Sequence, residues 1–505
     1  MSGLILYSIN PRSLGSLPEW LAGLDEAVRL NCNAIHLNPF HPTTNIRKNY
    51  HGAEVSGSLY AIRDHFAINP EFCGEADAAT ARSQLKNFIK MARAKNLRVL
   101  VDLVFNHVAA DHPLVTARPE LFKRNADGRL HVPGPADDRW SDVAAIDYAQ
   151  PAAWEFFLGT DGYWLRLMDD YLDLGFNGLR CDAVYWLPQL VWEQAINHAL
   201  RREPDLVVLA ETLGLSGQDA ALMHDTLRES DARMIYDLCY DDAGRNWDGR
   251  KSADLNQARG EKFKEAAYYG TLGFVDSHDF TPRAAELRTK FSDATELRQK
   301  LGDDTDMDKK IAAVCLRDYA IACFTNNSVM LPRGYQWCIE NNVGPFREQV
   351  SAEFFKTIKQ QRKTTAHPLT LSTAIAEMHK LRASLPAHVM VRVSDAFETG
   401  WKYLSAIQCD FLTHGDERLI GSIILLLNTA AEHGPQKFPA EYWQKLKEGQ
   451  SNAQRLQFGP DRTHRDDISG VAILVIPGGL DTSMEFNQGR KAKLDANQPE
   501  PALVA

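Results

Sequence analysis

The stretch "ATARSQLKNFIKMARAKNLRVLVDLVFNHV", Ala79 to Val108, carries two periodicities in one run. Up to Asn96 its apolar side chains recur at the three-and-four spacing of an amphipathic helix. From Leu97 it becomes a nearly continuous apolar strand that ends on Asp102, Asn106 and His107. A helix feeding a buried strand, with polar residues only at the strand's C-terminal end, is a repeating unit of α/β architecture.

The same rhythm extends in both directions. "LILYSI", "NAIHLNPF", "NGLRCDAV", "DLVVLAETLG", "ARMIYDL", "GTLGFVDSHD" and "NSVMLPRGY" read as further strands. Between most of them lie helical stretches such as "LPEWLAGLDEAVRL" and "LVWEQAINHALRRE". With "LRVLVDLVFNHV" these make eight strands, which points to a (β/α)8 TIM barrel spanning residues 1–371 rather than a doubly wound sheet. Two insertions break the rhythm. Residues 41–78 follow strand 2 and are rich in Tyr, His, Asn and Gly, and residues 109–150 form a short inserted subdomain after strand 3. From residue 372 the runs "HVMVRVS", "KYLSAIQC", "LIGSIILLLN" and "VAILVIPG" predict a C-terminal antiparallel β-sandwich domain to residue 482. A flexible tail is expected over 483–505.

The composition of the 505-residue chain, 44% apolar with a net charge of −10, is that of a globular protein and disfavours a nucleic-acid or anionic-membrane partner. No apolar run reaches the roughly 20 residues of a membrane span, and the N-terminus lacks a leader pattern, so a cytoplasmic location is expected. The eight cysteines form no C-x-x-C pair, so they are expected as buried free thiols without a metal.

Chemistry concentrates at four strand ends. In "GLRCDAVYW", Gly178 to Trp186, alternation puts Arg180 and Asp182 on one face, toward the barrel interior, and Leu179 and Cys181 on the other. "DLVFNHV" adds Asp102, Asn106 and His107, "LAETLG" adds Glu211, and "FVDSHDF" adds His278 and Asp279 with Asp276 nearby. Any one of these carboxylates could be an ion-pair partner or a helix cap. Together, at successive strand ends, they form a candidate catalytic set.

In this order the four segments resemble the signature regions of the α-amylase superfamily, glycoside hydrolase family 13. "LYAIRDHFAINPEFCG" and "RAKNLRVLVDLVFNHV" are similar to that family's segments around strands 2 and 3. The resemblance covers roughly residues 1–370. It implies a retaining enzyme cleaving α-1,4-glucosidic bonds of α-glucans or malto-oligosaccharides through a covalent glycosyl-aspartate, with α-amylase-like hydrolysis as the leading outcome. Asp182 would be the nucleophile, Glu211 the general acid/base and Asp279 the third carboxylate. Arg180 would lower the pKa of Asp182, and Asp102 would anchor Arg180, with Asn106 in support. Tyr60 would stack on the sugar, and His107 and His278 would bond its hydroxyls. "DHPLVTARPELFKRNADGRL" and "SVMLPRGYQW" resemble the corresponding loops of maltosyltransferases that use maltose 1-phosphate, so transfer of maltosyl units is the alternative outcome. A non-catalytic family relative is a minor third, disfavoured by the intact carboxylate set. Tyr185 and Trp186 stand where many amylases have a basic residue and a calcium-associated histidine, so neither a calcium ion nor a cofactor is expected. Both aromatics could line acceptor subsites, and Trp186 could equally pack a helix.

Overall fold

Asp77 begins the first long helix by accepting a hydrogen bond from the Thr80 N–H at 2.7 Å, and the helix runs from Ala78 to Ala94. It buries Leu85, Phe88, Ile89 and Ala92, and the chain leaves it through Asn96 at φ 60° before entering the strand Arg98–Leu103. This βα pattern recurs along the chain. The computed structural model describes residues 3–50, 52–134, 139–213, 236–245, 247, 249–262, 270–293, 304–362, 367–385, 389–396, 403–413, 416–429, 436–437, 454–458, 467–468 and 471–477.

Eight parallel strands close into a barrel: β1 (Ile5–Ile9), β2 (Ala34–Leu37), β3 (Arg98–Leu103), β4 (Gly178–Cys181), β5 (Val207–Ala210), β6 (Leu238–Asp241), β7 (Gly270–Gly273) and β8 (Ser328–Pro332). Each pairs with its sequence neighbours, and β1 closes on β8. The helices around them are α1 (Leu21–Arg29), α2 (Ala78–Ala94), α3 (Tyr163–Leu174), α4 (Gln189–Arg202), α5 (Ser252–Lys262), α6 (Arg283–Asp293), α7 (Asp304–Phe324) and α8 (Ser372–Ala383). The expected strand "ARMIYDL" lies mostly outside the described residues, and β6 begins at its last residue, where Leu238 pairs with Leu209.

Period-two alternation sorts the core into two layers. Leu6, Leu100, Leu209, Leu272 and Met330 fill the barrel interior, while Val99, Val101, Leu103, Leu179 and Cys181 join the larger cluster between strands and helices. Asp102, in step with Leu100, and Arg180, in step with Gly178, therefore face inward. Gly178 is required there. A Cβ at this position would meet the Leu100 side chain at 2.5 Å, so Gly178→Ala should destabilise the barrel by about 1–3 kcal/mol, read as a lower urea midpoint. A midpoint equal to that of the unsubstituted chain would show that Leu100 gives way freely.

The described parts of both insertions are structured. Arg47–Tyr50 and Ala53–Ser56 form an antiparallel hairpin after β2, and His107–Ala109 pairs with Val143–Ala145 after β3. At the C-terminal end, residue 372 opens a helix, not a strand. Ala374, Ile375 and Met378 of α8 are buried in the barrel's outer core, and the antiparallel sheet begins only at Val389. Short apolar residues at helical spacing read as part of the following β pattern because strand-like "HVMVRVS" comes so soon after. The sheet has five strands, β9 (Val389–Asp395), β10 (Leu404–Thr413), β11 (Leu419–Asn428), β12 (Gln454–Phe458) and β13 (Val471–Pro477), in the order β9-β10-β11-β13-β12. Ile423, Leu425 and Leu427 share one buried cluster with Ile311, Ile321 and Phe324 of α7, which fastens the sheet to the barrel. The expected tail, 483–505, lies outside the described residues.

Candidate active site

The mouth of the barrel is organised by one guanidinium. Arg180 is 1% exposed, and its Nη1 donates to Asp102 Oδ1 at 2.7 Å and to Asp182 Oδ1 at 2.5 Å, while Nη2 lies 3.8 Å from Glu211 Oε2. Strand register sets this up, because Asp102 of β3 is the direct partner of Arg180 in β4. Asp102 is held from its other side as well. The Tyr60 hydroxyl donates to Oδ2 at 2.8 Å, and His36 Nε2 bonds the same oxygen at 3.1 Å. Against the desolvation of complete burial, Arg180 and His36 keep the Asp102 carboxyl well below the usual carboxylate range. Asp102 is thus a fixed counter-charge.

Past Cys181 the chain turns sharply. Ala183 sits at φ 43°, ψ 56°, a left-handed conformation that costs a residue with a Cβ about 1–2 kcal/mol. That turn aims the Ala183 N–H at Glu211 Oε2 (2.6 Å), and the Leu213 N–H reaches Oε1 at 2.5 Å. Glu211 is thereby held by backbone donors at both oxygens, beside the Asp182 carboxyl. Burial pushes Glu211 up to about 8, with Asp182 and Asp279 adding to the rise and Arg180 opposing it. Burial also pushes Asp182 up, to about 7, because desolvation and the Asp102 charge outweigh the attraction of Arg180. The sequence reading expected Arg180 to carry Asp182 downward. Instead both carboxyls rise, and the order between them is set by contact with the cation, at 2.5 Å for Asp182 against 3.8 Å for Glu211. The closer cation favours the charge on Asp182, and the nearby Asp182 carboxyl adds to the rise of Glu211.

Asp279 follows β7 and receives the Ser277 hydroxyl at 3.2 Å, with His278 Nε2 3.3 Å from its other oxygen. Its side chain is the most open of the three carboxylates, 44% exposed. His278 stacks on Tyr60 with ring centroids 4.8 Å apart. His107 Nε2 contacts the Tyr60 carbonyl at 3.1 Å, and its Nδ1 lies 3.3 Å from Asn106 Nδ2, so both ring nitrogens have protein partners. Burial lowers His107 to about 4, which keeps it neutral. Asp276 belongs to the scaffold: it accepts from Arg245 Nη1 and from the Arg283 N–H that opens α6.

Asp182, Glu211, Asp279, Tyr60, His107, Arg180 and His278 all line one cavity of about 370 Å³. Asp102 and Asn106 lie behind it. Tyr185 also lines it and donates its hydroxyl to the Leu213 carbonyl, whereas Trp186 packs on Trp140 with centroids 5.2 Å apart. Cys181 faces away, buried in the outer core, and burial raises its thiol. Lys48, Tyr50, Trp140, Asp142 and Phe346 complete one wall. No strand-end motif marks these five, and only the aromatic richness of the 41–78 insertion hinted at part of them. Among the described residues no group of three or more His, Cys, Asp or Glu side chains is arranged to hold a metal ion, and no helix is long and apolar enough to cross a membrane.

With this geometry in place, similarity to known proteins becomes informative. Residues 1–124 match the family model of the glucanotransferase domain of glycogen debranching enzyme. An α-1,4-glucan:maltose-1-phosphate maltosyltransferase of Picrophilus torridus is 27% identical over 219 residues, covering 41% of this chain and 32% of that protein. The enzyme of the same name from Bifidobacterium longum is 23% identical over 378 residues, covering 74% of this chain and 45% of that protein. The chain thus spans about a third to a half of the length of these curated relatives. Among solved structures, an α-amylase from Lactobacillus plantarum superposes with a TM-score of 0.60 at 18% identity, over 94% of this chain and 98% of that one. A trehalose-6-phosphate hydrolase from Bacillus licheniformis gives 0.62 at 11%, over 94% and 99%. The resemblance to the α-amylase superfamily, and the narrower one to maltosyltransferases, both stand on these matches.

Proposed function

We propose that this α-amylase-like chain is a retaining enzyme of α-1,4-linked glucans, in which Asp182 attacks the anomeric carbon and Glu211 protonates the departing oxygen. The observation that carries the reading is the Arg180 clamp. A single buried cation holds Asp182 at 2.5 Å and leaves Glu211, the more deeply buried of the two, at 3.8 Å. Two carboxyls thereby receive different protonation states at one pH, as double displacement requires. In the first step the Asp182 oxygen bonds C1 while the glycosidic C–O bond breaks and the leaving oxygen takes the Glu211 proton. In the second, water or a sugar hydroxyl gives its proton to Glu211 and displaces Asp182 from C1. Asp279 and His278 hold hydroxyls of the reacting sugar, and Tyr60 offers its ring.

The charge of the cavity favours a neutral donor. Its described lining carries Asp142, Asp182 and Asp279 beside the Glu211 carboxyl, and its cations Lys48 and Arg180 are each already paired with an aspartate. A sugar phosphate, at about −1.5 to −2 charge, would enter against that field. That field disfavours only the sugar-phosphate donor; hydrolysis of malto-oligosaccharides is kept as the leading reading because it is the broader class. Transfer is the second reading, favoured by the maltosyltransferase relatives and the glucanotransferase family match. Digestion of maltoheptaose, with and without phosphate, separates them. Hydrolysis predicts only shorter products and indifference to phosphate. Products longer than maltoheptaose would replace hydrolysis by transfer, and a phosphate-dependent loss of maltosyl units would restore the sugar-phosphate donor.

A further inference from the structure

The first four barrel strands each place one polar side chain on the row directly above the apolar interior. Ser8 of β1, His36 of β2, Asp102 of β3 and Arg180 of β4 stand two residues beyond Leu6, Ala34, Leu100 and Gly178, so alternation turns all four inward. Register brings Ser8 beside His36 and Asp102 beside Arg180. Side-chain bonds then run along the whole row. Ser8 Oγ lies 3.1 Å from His36 Nδ1, and His36 Nε2 lies 3.1 Å from Asp102 Oδ2. Arg180 Nη1 completes the row by donating to Asp102 at 2.7 Å and to Asp182 at 2.5 Å. Burying these groups costs desolvation at every member, whereas one layer below the same strands are filled by Leu6, Ala34 and Leu100.

His36 is 1% exposed and lies outside the lining of the catalytic cavity, so it touches no substrate. Ser8 opens only onto a separate cavity of about 30 Å³, room for a water and not for a substrate, so the Ser–His–Asp order is not a nucleophile relay. The row acts at its other end. An ionised Asp102 only accepts, so the His36 nitrogen facing it carries the proton, and the Ser8 hydroxyl, donating to Nδ1, holds the ring in that tautomer. Asp102 Oδ2 thus receives His36 and the Tyr60 hydroxyl, while Oδ1 receives Arg180. We propose that His36, with its tautomer fixed by Ser8, is a positioning residue for the nucleophile: its N–H offsets part of the Asp102 charge, which leaves the Arg180 guanidinium to hold Asp182 as the anion. This role rests on the retaining mechanism above. The other groups that face Asp182 are Glu211, Asp279, Tyr60 and Tyr185, and on its far side His36 faces His278. Among the described residues none of these five bonds His36.

The pH profile of kcat/KM tests it. Without the His36 donor, more of the Asp102 charge reaches Asp182, whose proton is then held to higher pH. His36→Leu is therefore expected to raise the acid limb by about one pH unit, the scale of losing a hydrogen bond to a charged group, and to leave the alkaline limb in place. Maltoheptaose and an α-glycosyl fluoride should show the same shift, because both need Asp182 and only the glucan needs the Glu211 proton. His36→Gln, whose amide N–H replaces that of the ring, should return the limb toward its original place. Ser8→Ala, which frees the tautomer, should move the limb upward by a smaller amount and serves if His36→Leu fails to fold. An unmoved acid limb in a folded variant, with or without a drop in Tm, reduces His36 to packing and overturns the proposal, as does an equal shift in His36→Gln. If the unsubstituted enzyme turns over neither substrate, the functional reading itself fails. The pH at which a water-soluble carbodiimide labels the protonated Asp182 carboxyl, read by mass spectrometry, then decides the role of the row, and an equal midpoint in the unsubstituted chain and the variants overturns it.

Discussion

Asp182→Ala is expected to lower kcat/KM on malto-oligosaccharides by about 10⁵-fold, the scale of losing a covalent nucleophile. The fold should survive, because Arg180 keeps its 2.7 Å bond to Asp102, so no buried charge is stranded. The shortened side chain leaves space at the anomeric carbon for a small anion. With azide added and an α-glycosyl fluoride as substrate, azide bonds C1 from the vacated face as fluoride leaves, and the product is the β-glycosyl azide. Its configuration, read by NMR, identifies the face from which Asp182 normally attacks. Retention of more than about 1% of activity by the alanine variant would remove Asp182 from the nucleophile's role, as would formation of the α-azide.

The sequence made Asp182 legible because strand alternation is a strict rule. Once "GLRCD" is a strand, Arg180 and Asp182 must share a face, and the apolar partners of that face, such as Leu100, put it inside the barrel. The eight-strand rhythm was legible for the same reason, since each buried parallel strand is an apolar run bounded by turns. Cys181 could be assigned to packing by the same alternation, and it lies in the outer core. What sequence could not supply was the balance of energies at the mouth. Arg180 adjoins Asp182 as expected, yet burial and the Asp102 charge outweigh it, because a guanidinium shared among three carboxylates cannot lower all of them. The Lys48–Asp142 pair was equally illegible. Its members are far apart in the chain and belong to insertions with no periodicity, and only the closed fold brings them to 3.0 Å. Helix α8 was missed where a helix and a sheet adjoin with little between them.

The second large effect separates the two carboxyls by their protons. Glu211→Gln is expected to lower kcat/KM on malto-oligosaccharides by about 10²- to 10⁴-fold, the contribution of a positioned proton donor. Glutamine preserves the acceptor for the Ala183 or Leu213 N–H but has no proton to transfer. An α-glycosyl fluoride, whose leaving group needs little protonation, should lose much less than the glucan does in its first step. The same residue shapes the pH profile. In the proposed mechanism Asp182 must be ionised, so activity is expected to fall as pH drops through its pKa. In the same mechanism Glu211 must be protonated, so activity is expected to fall as pH rises through its own. Burial raises both, to about 7 and about 8, which puts the maximum of kcat/KM near neutrality and not in the range of an exposed carboxylate pair. In Glu211→Gln the alkaline limb should vanish while the acid limb, owed to Asp182, remains. An unaltered alkaline limb would mean that another group carries the proton, and a loss as large on the fluoride as on the glucan would mean that Glu211 acts by placing Asp182 through the Ala183 turn.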